Sequence, residues 1–231
     1  MSGVAIHLGI LAGLQSEARC LSAAGTDGPR RTLLLSGARL DGARDAARRL
    51  VAAGATHLLS FGLAGGLDPA LAPGTLLLPE RLLRPDGSSI EIDRAWHAAA
   101  RKRLAAQQPV TAAMIGSDDA VATVAAKKAL FARTGAAAID MESHVLAAVA
   151  PALPVLIVRA VADSAEDALP AAALVGIKPD GSTDLAAVFD SVMRRPTQIP
   201  ALMRLGRAAA KAEATLRAAA RQGLSSGFGL V

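Results

Sequence analysis

Residues 136–150 read AAAIDMESHVLAAVA. An apolar run, AAAI, breaks into Asp140-Met141-Glu142-Ser143, and an alanine-rich amphipathic stretch follows. The first part has the continuous apolar character of a buried strand, and the second has helical spacing. Two carboxylates stand at the junction. One reading of them is local: Asp140 or Ser143 caps the helix, and Glu142 favours its positive N-terminus. The other is functional, and it depends on what the rest of the chain places beside them.

The same alternation runs outward in both directions. Apolar runs predict strands at 4–11, 32–37, 56–62, 74–79, 110–116, 136–140 and 154–162. Amphipathic segments predict helices at 14–24, 40–53, 94–107, 120–134, 141–150, 184–194 and 200–222. Nearly continuous apolar strands separated by helices indicate a sheet buried on both faces, hence an α/β fold. Residues 1–231 read as a single domain, with neither an internal repeat nor a long linker. Residues 86–93, DGSSIEID, form a loop or an edge hairpin, residues 163–183 an irregular excursion, and the final GLSSGFGLV a frayed end.

Composition narrows the function. The 231 residues are 52% hydrophobic and only 2% aromatic, with no tyrosine, so base stacking by a nucleic-acid module is not expected. The formal charge of +5 comes from scattered arginines, which read first as a solvated surface and second as a source of attraction to phosphate or anionic lipid. The single cysteine, Cys20, excludes an intrachain disulfide and reads as core filler. The four histidines show no ligand spacing, so no metal is expected; separately, no cofactor is expected. No charged n-region precedes the first apolar segment, and the longest apolar stretch, VLAAVAPALPVLIV, is short and broken by proline. These features lead to the expectation of a soluble cytoplasmic chain.

In doubly covered sheets the working residues sit at the carboxyl ends of strands. Four such ends carry unusual chemistry: AGLQSEA with Glu17, SFGLAGGLD with Gly62, Ala64, Gly65 and Gly66, DMES, and ADSAED with Asp163. Glycines after a strand let backbone N–H groups approach a ligand, or simply make a tight turn. An aspartate closing the very apolar strand VLIVRAVA is partly desolvated, which raises its pKa and lets it hold a proton near neutrality. No strand runs into GxGxxG opening a helix, which argues against a dinucleotide-binding oxidoreductase.

HLGILAGLQSEA, SFGLAGGLDPALAPGTLLLPE, IDMES and VRAVADSAED stand in an order and at spacings that resemble the purine nucleoside and uridine phosphorylase superfamily. The AGGLDPxLxxG segment is similar to the methylthioadenosine/S-adenosylhomocysteine nucleosidase branch. The alanine- and arginine-rich character is similar to the hopanoid-associated phosphorylases, which act on adenosylhopane. The resemblance implies a three-layer α/β/α sandwich around a mixed sheet, a homodimer or larger assembly, and an enzyme that breaks a purine N-ribosidic bond. It implies that Asp163 protonates purine N7 and that Glu17 positions or deprotonates water. By the same resemblance, Met141 packs on the ribose, Glu142 binds its hydroxyls, and the Gly62–Gly66 segment lies by the nucleophile.

The nucleophile stays open between water and phosphate. Glu17 matches the hydrolytic branch, whereas Arg39 at the end of the second strand reads either as a phosphate ligand or as a surface residue. On the base side, where the hydrolytic branch has a bulky aromatic, the chain has Asp119-Ala120-Val121-Ala122. This departure weakens purine stacking and leaves room near Val121 and Ala122 for a large apolar group. A binding protein without turnover is the contrasting class, and the intact trio Glu17, Glu142 and Asp163 argues against it. The terminal helix at 200–222 either packs on its own domain or rests on a membrane surface, from which a lipid-linked nucleoside is drawn.

Overall fold

The computed structural model describes residues 5–230 apart from Ala23 and Thr26. Val4 of the first expected strand, Ala23 of the first expected helix and the terminal Val231 lie outside the described residues. The strands are β1 (His7–Ala12), β2 (Arg30–Leu35), β3 (His57–Gly66), β4 (Leu76–Leu77), β5 (Arg81–Leu83), β6 (Ser89–Glu91), β7 (Met114–Gly116), β8 (Ala138–Asp140) and β9 (Val155–Asp163). The helices are α1 (Gln15–Ser22), α2 (Leu40–Ala52), α3 (Arg94–Arg103), α4 (Val124–Thr134), α5 (Ser143–Val149), α6 (Ala171–Val175), α7 (Leu185–Arg194) and α8 (Ile199–Gly223).

The sheet is mixed, with the order β2-β1-β3-β8-β7-β5-β6, while β9 pairs with β3 and β4 pairs with β9. Pairs β1/β2, β1/β3, β3/β9, β5/β7 and β7/β8 are parallel. Pairs β3/β8, β4/β9 and β5/β6 are antiparallel. Residues 58–61 of β3 are all buried, so both faces of this strand are covered. Helices α1 and α8 pack on each other, with α8 over β9, and α2 and α5 form a second pair against β1, β3 and β7. Alternate apolar faces of adjacent strands feed both layers, which is the physical content of the α/β expectation. Cys20 is fully buried in this core.

Three expectations change. The glycines 62, 65 and 66 are neither a turn nor a loop: β3 continues through them. Its backbone there is satisfied by β9 on one side and, at Gly65 and Gly66, by β8 on the other, with a register shift between Ala64 and Gly65. The last residues are not frayed, because Leu224 and Phe228 are buried and Gly227 O accepts a 2.8 Å hydrogen bond from Trp96 Nε1. The expected strand at 74–79 shrinks to Leu76–Leu77. Elsewhere, residues 86–93 take the hairpin alternative, with β6 on the sheet edge. The excursion at 163–183 contains α6 and an isolated bridge between Ile177 and Thr183. The C-terminal half of α8 buries Ala212, Leu216, Ala219 and Ala220 on its own domain.

Candidate active site

The ends of β3, β8 and β9 and the start of α1 enclose a cavity of about 220 Å³. Glu17 reaches it from the first turn of α1. One carboxylate oxygen accepts from Gly13 N at 2.6 Å and Leu14 N at 2.9 Å, and the other accepts from Leu63 N at 2.7 Å. The glutamate therefore caps its own helix, as an acidic first-turn residue should, and also ties α1 to β3. It is buried rather than solvated. A side chain at Gly62 would be impossible here, because its Cβ would stand 2.5 Å from Glu17 Oε1 and 2.6 Å from Arg159 Nη1.

Asp140 and Glu142 divide the labour that the sequence left open. Asp140 accepts from the backbone N–H of Ser143 at 3.3 Å and from its hydroxyl, so it supplies the capping bonds, from two residues before the N-cap Glu142. Glu142 makes no cap bond. It lines the cavity, where Oε1 accepts from Ser36 Oγ at 3.3 Å and Oε2 from Arg159 Nη2 at 3.2 Å. Arg159 is wholly buried in the middle of β9 and also pairs with Asp140 at 2.7 Å and Ser60 Oγ at 2.7 Å. A guanidinium in such a place is tolerated only when carboxylates surround it. Burial raises the Glu142 carboxyl to about 7, opposed by Arg159 and reinforced by Asp140 and Glu17. Burial raises Glu17 as well, against the pull of Arg159 and of three backbone N–H groups.

Asp163 closes β9 and faces the same cavity. Its Oδ2 is held by Lys127 of α4, whose ammonium also donates to Ser164 O and Asp167 O, both at 2.8 Å. All three ammonium protons are thus used. Burial lifts the Asp163 carboxyl above its ordinary value, and Lys127 pulls it down.

Glu17, Ala64, Gly65, Val121, Met141, Glu142 and Asp163 all line the one cavity. Gly62 sits behind it, against Glu17, and Gly66 packs on the backbone of Asp163. Ala122 is drawn aside, its carbonyl accepting from Leu169 N at 2.8 Å. Arg39 does not join the site: it precedes α2 with an exposed side chain bound to Asp41 at 2.5 Å. Sequence reading missed Arg159 and Lys127. The first had a signal, a lone charge inside the apolar run VLIVRAVA. The second had none, since Lys127-Lys128 reads as an ordinary helix surface.

Comparison with known proteins agrees with this architecture. No curated protein sequence matches the chain significantly. The futalosine hydrolase of Helicobacter pylori superposes with a TM-score of 0.67 at 18% identity, covering 93% of this chain and 97% of that one. The 5′-methylthioadenosine/S-adenosylhomocysteine nucleosidase of Helicobacter pylori, bound to butyl-thio-DADMe-Immucillin-A, gives 0.66 at 17%, with 93% and 97% covered. The S-adenosylhomocysteine nucleosidase of Streptococcus pyogenes, in complex with 5-methylthiotubericidin, gives 0.69 at 18%, with 96% and 98% covered. At such identities the likeness speaks for the fold. The family follows from sequence: the model of the phosphorylase superfamily matches residues 25–198, from before β2 to just short of α8, and the chain belongs to that superfamily.

Proposed function

We propose that this protein is a nucleosidase that cleaves the N-ribosidic bond of an adenosine-type nucleoside and releases adenine. The observation that carries the reading is the convergence of Glu17, Glu142 and Asp163, from three separate elements, on one cavity. An N-glycosidic bond breaks with oxocarbenium character in the sugar, and the base leaves well only when protonated. Asp163 supplies that proton, a contribution of about 10²–10⁴-fold for a general acid. Glu142, beside Met141, accepts hydrogen bonds from the ribose hydroxyls and orients the sugar. Glu17, pinned by three backbone N–H groups, positions the attacking water and accepts the proton it loses as the C1′–O bond forms, while the base leaves with the proton from Asp163.

Water is the nucleophile this lining favours. It carries five carboxylates, Glu17, Asp119, Asp140, Glu142 and Asp163, and, among the described residues, neither arginine nor lysine. Arg159 and Lys127, which sit behind this lining, are already paired with Asp140, Glu142 and Asp163, so among the described residues the lining offers a phosphate dianion no uncommitted cation. Arg39, the residue that would have supplied one, is turned away.

For the 5′ substituent we propose a hydrocarbon, as in adenosylhopane, in the service of hopanoid synthesis. The cavity is smaller than the roughly 300–1,000 Å³ of typical ligand pockets. It suits a nucleoside whose large substituent projects outward past the apolar Val121, Leu169 and Ile177 of the same lining. The test compares kcat/KM for adenosylhopane, methylthioadenosine and adenosine. The lipid conjugate should exceed adenosine by at least about tenfold. Equal values would mean that the hydrocarbon contributes no transition-state binding, and the lipid assignment would fall. Methylthioadenosine ahead of both would assign an ordinary methylthioadenosine-type nucleosidase.

A further inference from the structure

Eight of the eleven exposed large apolar side chains among the described residues fall within residues 174–203: Leu174, Val175, Ile177, Leu185, Phe189, Met193, Ile199 and Met203. Helix α7 concentrates them. It has no buried residue, and Leu185, Phe189 and Met193 are 75%, 63% and 66% exposed. Their i, i+4, i+8 spacing sets them on one face. The half-buried Val188 and Val192 lie on the adjoining face, and Val188 touches Gly176 at the end of α6. The helix is therefore fixed to its neighbour along one side and apolar along another. Gln198 holds it in place, accepting from Ala172 N at 2.9 Å and donating to Ser191 O at 2.7 Å.

Charge says what this face meets. From Asp184, the N-cap of α7, to residue 211 the chain carries Arg194, Arg195, Arg204, Arg207 and Lys211 against the two acids Asp184 and Asp190. An apolar ridge flanked by arginines fits the boundary between acyl chains and anionic headgroups, where the apolar face is buried and nearby cations strengthen the attachment. A second copy of the chain would bring the same positive charge to the same face. Ile177, which precedes α7, lines the catalytic cavity, so the ridge stands beside its mouth. We propose that α7 and its flanking arginines dock the protein reversibly on an anionic lipid surface, with the cavity mouth turned toward it. This moves the membrane contact from the body of α8, whose C-terminal half is packed on the domain, to the segment before it.

The proposal is independent of the nucleosidase reading and is tested without substrate. The full chain is sedimented with vesicles of phosphatidylcholine alone and with about one third phosphatidylglycerol. Binding is expected only to the anionic vesicles, weakened by salt, and reduced at least about tenfold in the double variant Phe189→Glu/Met193→Glu. Both side chains are exposed, so the variant should keep the native circular dichroism and melting curve. Arg194→Gln/Arg195→Gln provides a second probe and should weaken binding without changing the apolar face. Native protein that ignores anionic vesicles, or a glutamate variant that binds them undiminished, would overturn the proposal. So would a native dimer that the glutamate variant splits in sedimentation velocity, since the face would then belong to a second copy.

Discussion

Strand β9 and the segment that follows it carry opposite kinds of chemistry. Within the strand and around its carboxyl end, charge is hidden: Arg159, Lys127, Asp140, Glu142, Asp163 and Glu17 are all buried. Beyond it, in α6 and α7, apolar side chains are exposed and no residue of α7 is buried. Each region inverts the ordinary rule of apolar inside and charged outside. Buried charge is retained at a cost in desolvation, and exposed apolar area at a cost in solubility. Both inversions mark places where folding alone does not explain the residues. The difference teaches where substitutions should hurt: in the first region each charge holds others in place, whereas in the second each side chain stands alone.

The largest expected effect follows from Arg159→Met. It removes the cation shared by Asp140 and Glu142 and leaves two buried carboxylates facing each other. Breaking a buried pair from one side costs about 3–5 kcal/mol, so chemical denaturation should show a loss of that order together with loss of turnover. A variant as stable as the native protein would mean that the buried charges are individually hydrated, and the contrast between the two regions would weaken.

Asp163→Asn comes next. It keeps the shape and a hydrogen-bond partner for Lys127 but cannot deliver a proton to the base. Adenine release should fall by about 10²-fold or more with the fold intact. Near-normal turnover in a folded variant would remove Asp163 from the mechanism.

Glu142→Gln sharpens the comparison through pH. The folded-state pKa of Glu142, about 7, lies above its ordinary 4.5. A carboxyl raised in this way contributes stability that is complete below about pH 4.5 and is lost as pH rises through about 7. The glutamine variant stays neutral throughout, so its melting temperature should decline less than that of the native protein between pH 4.5 and 7.5. Parallel curves for the two proteins would show that Glu142 is ionised throughout that range.

At the small end stands Leu185→Ser on α7. An exposed side chain with no buried partner should change stability by no more than about 0.5 kcal/mol. A larger loss on thermal unfolding would show that α7 packs in a way its exposure does not suggest.

Much of this contrast could be read from the sequence, for unequal reasons. The buried strands announced themselves through continuous apolar runs, and Glu17, Glu142 and Asp163 through carboxylates placed where such runs end. The resemblance carried by those same segments agreed with the family match and with the fold. Periodicity failed where tertiary pairing decides. Residues 62–66 read as a ligand loop or a tight turn because Gly62, Gly65 and Gly66 are poor strand formers, yet β9, and at Gly65 and Gly66 also β8, bond to that backbone and hold it extended. Residues 223–231 looked frayed because they are rich in glycine and serine, yet Phe228 is buried. Lys127 lay beyond local reading altogether, since its partner is 36 residues away. Arg39 was read as ambiguous, and a neighbouring aspartate settled its direction.

The central claim is that the buried carboxylates perform N-ribosidic hydrolysis, and product analysis tests it most directly. Purified protein is incubated with an adenosine-type nucleoside, once in phosphate-free buffer and once with phosphate, and the sugar product is identified by mass. The expected result is adenine with an unphosphorylated sugar in both buffers, at similar rates. Release of adenine only with phosphate, yielding a phosphorylated sugar, would contradict water as the nucleophile, and no release of adenine from any adenosine-type nucleoside would contradict the claim itself.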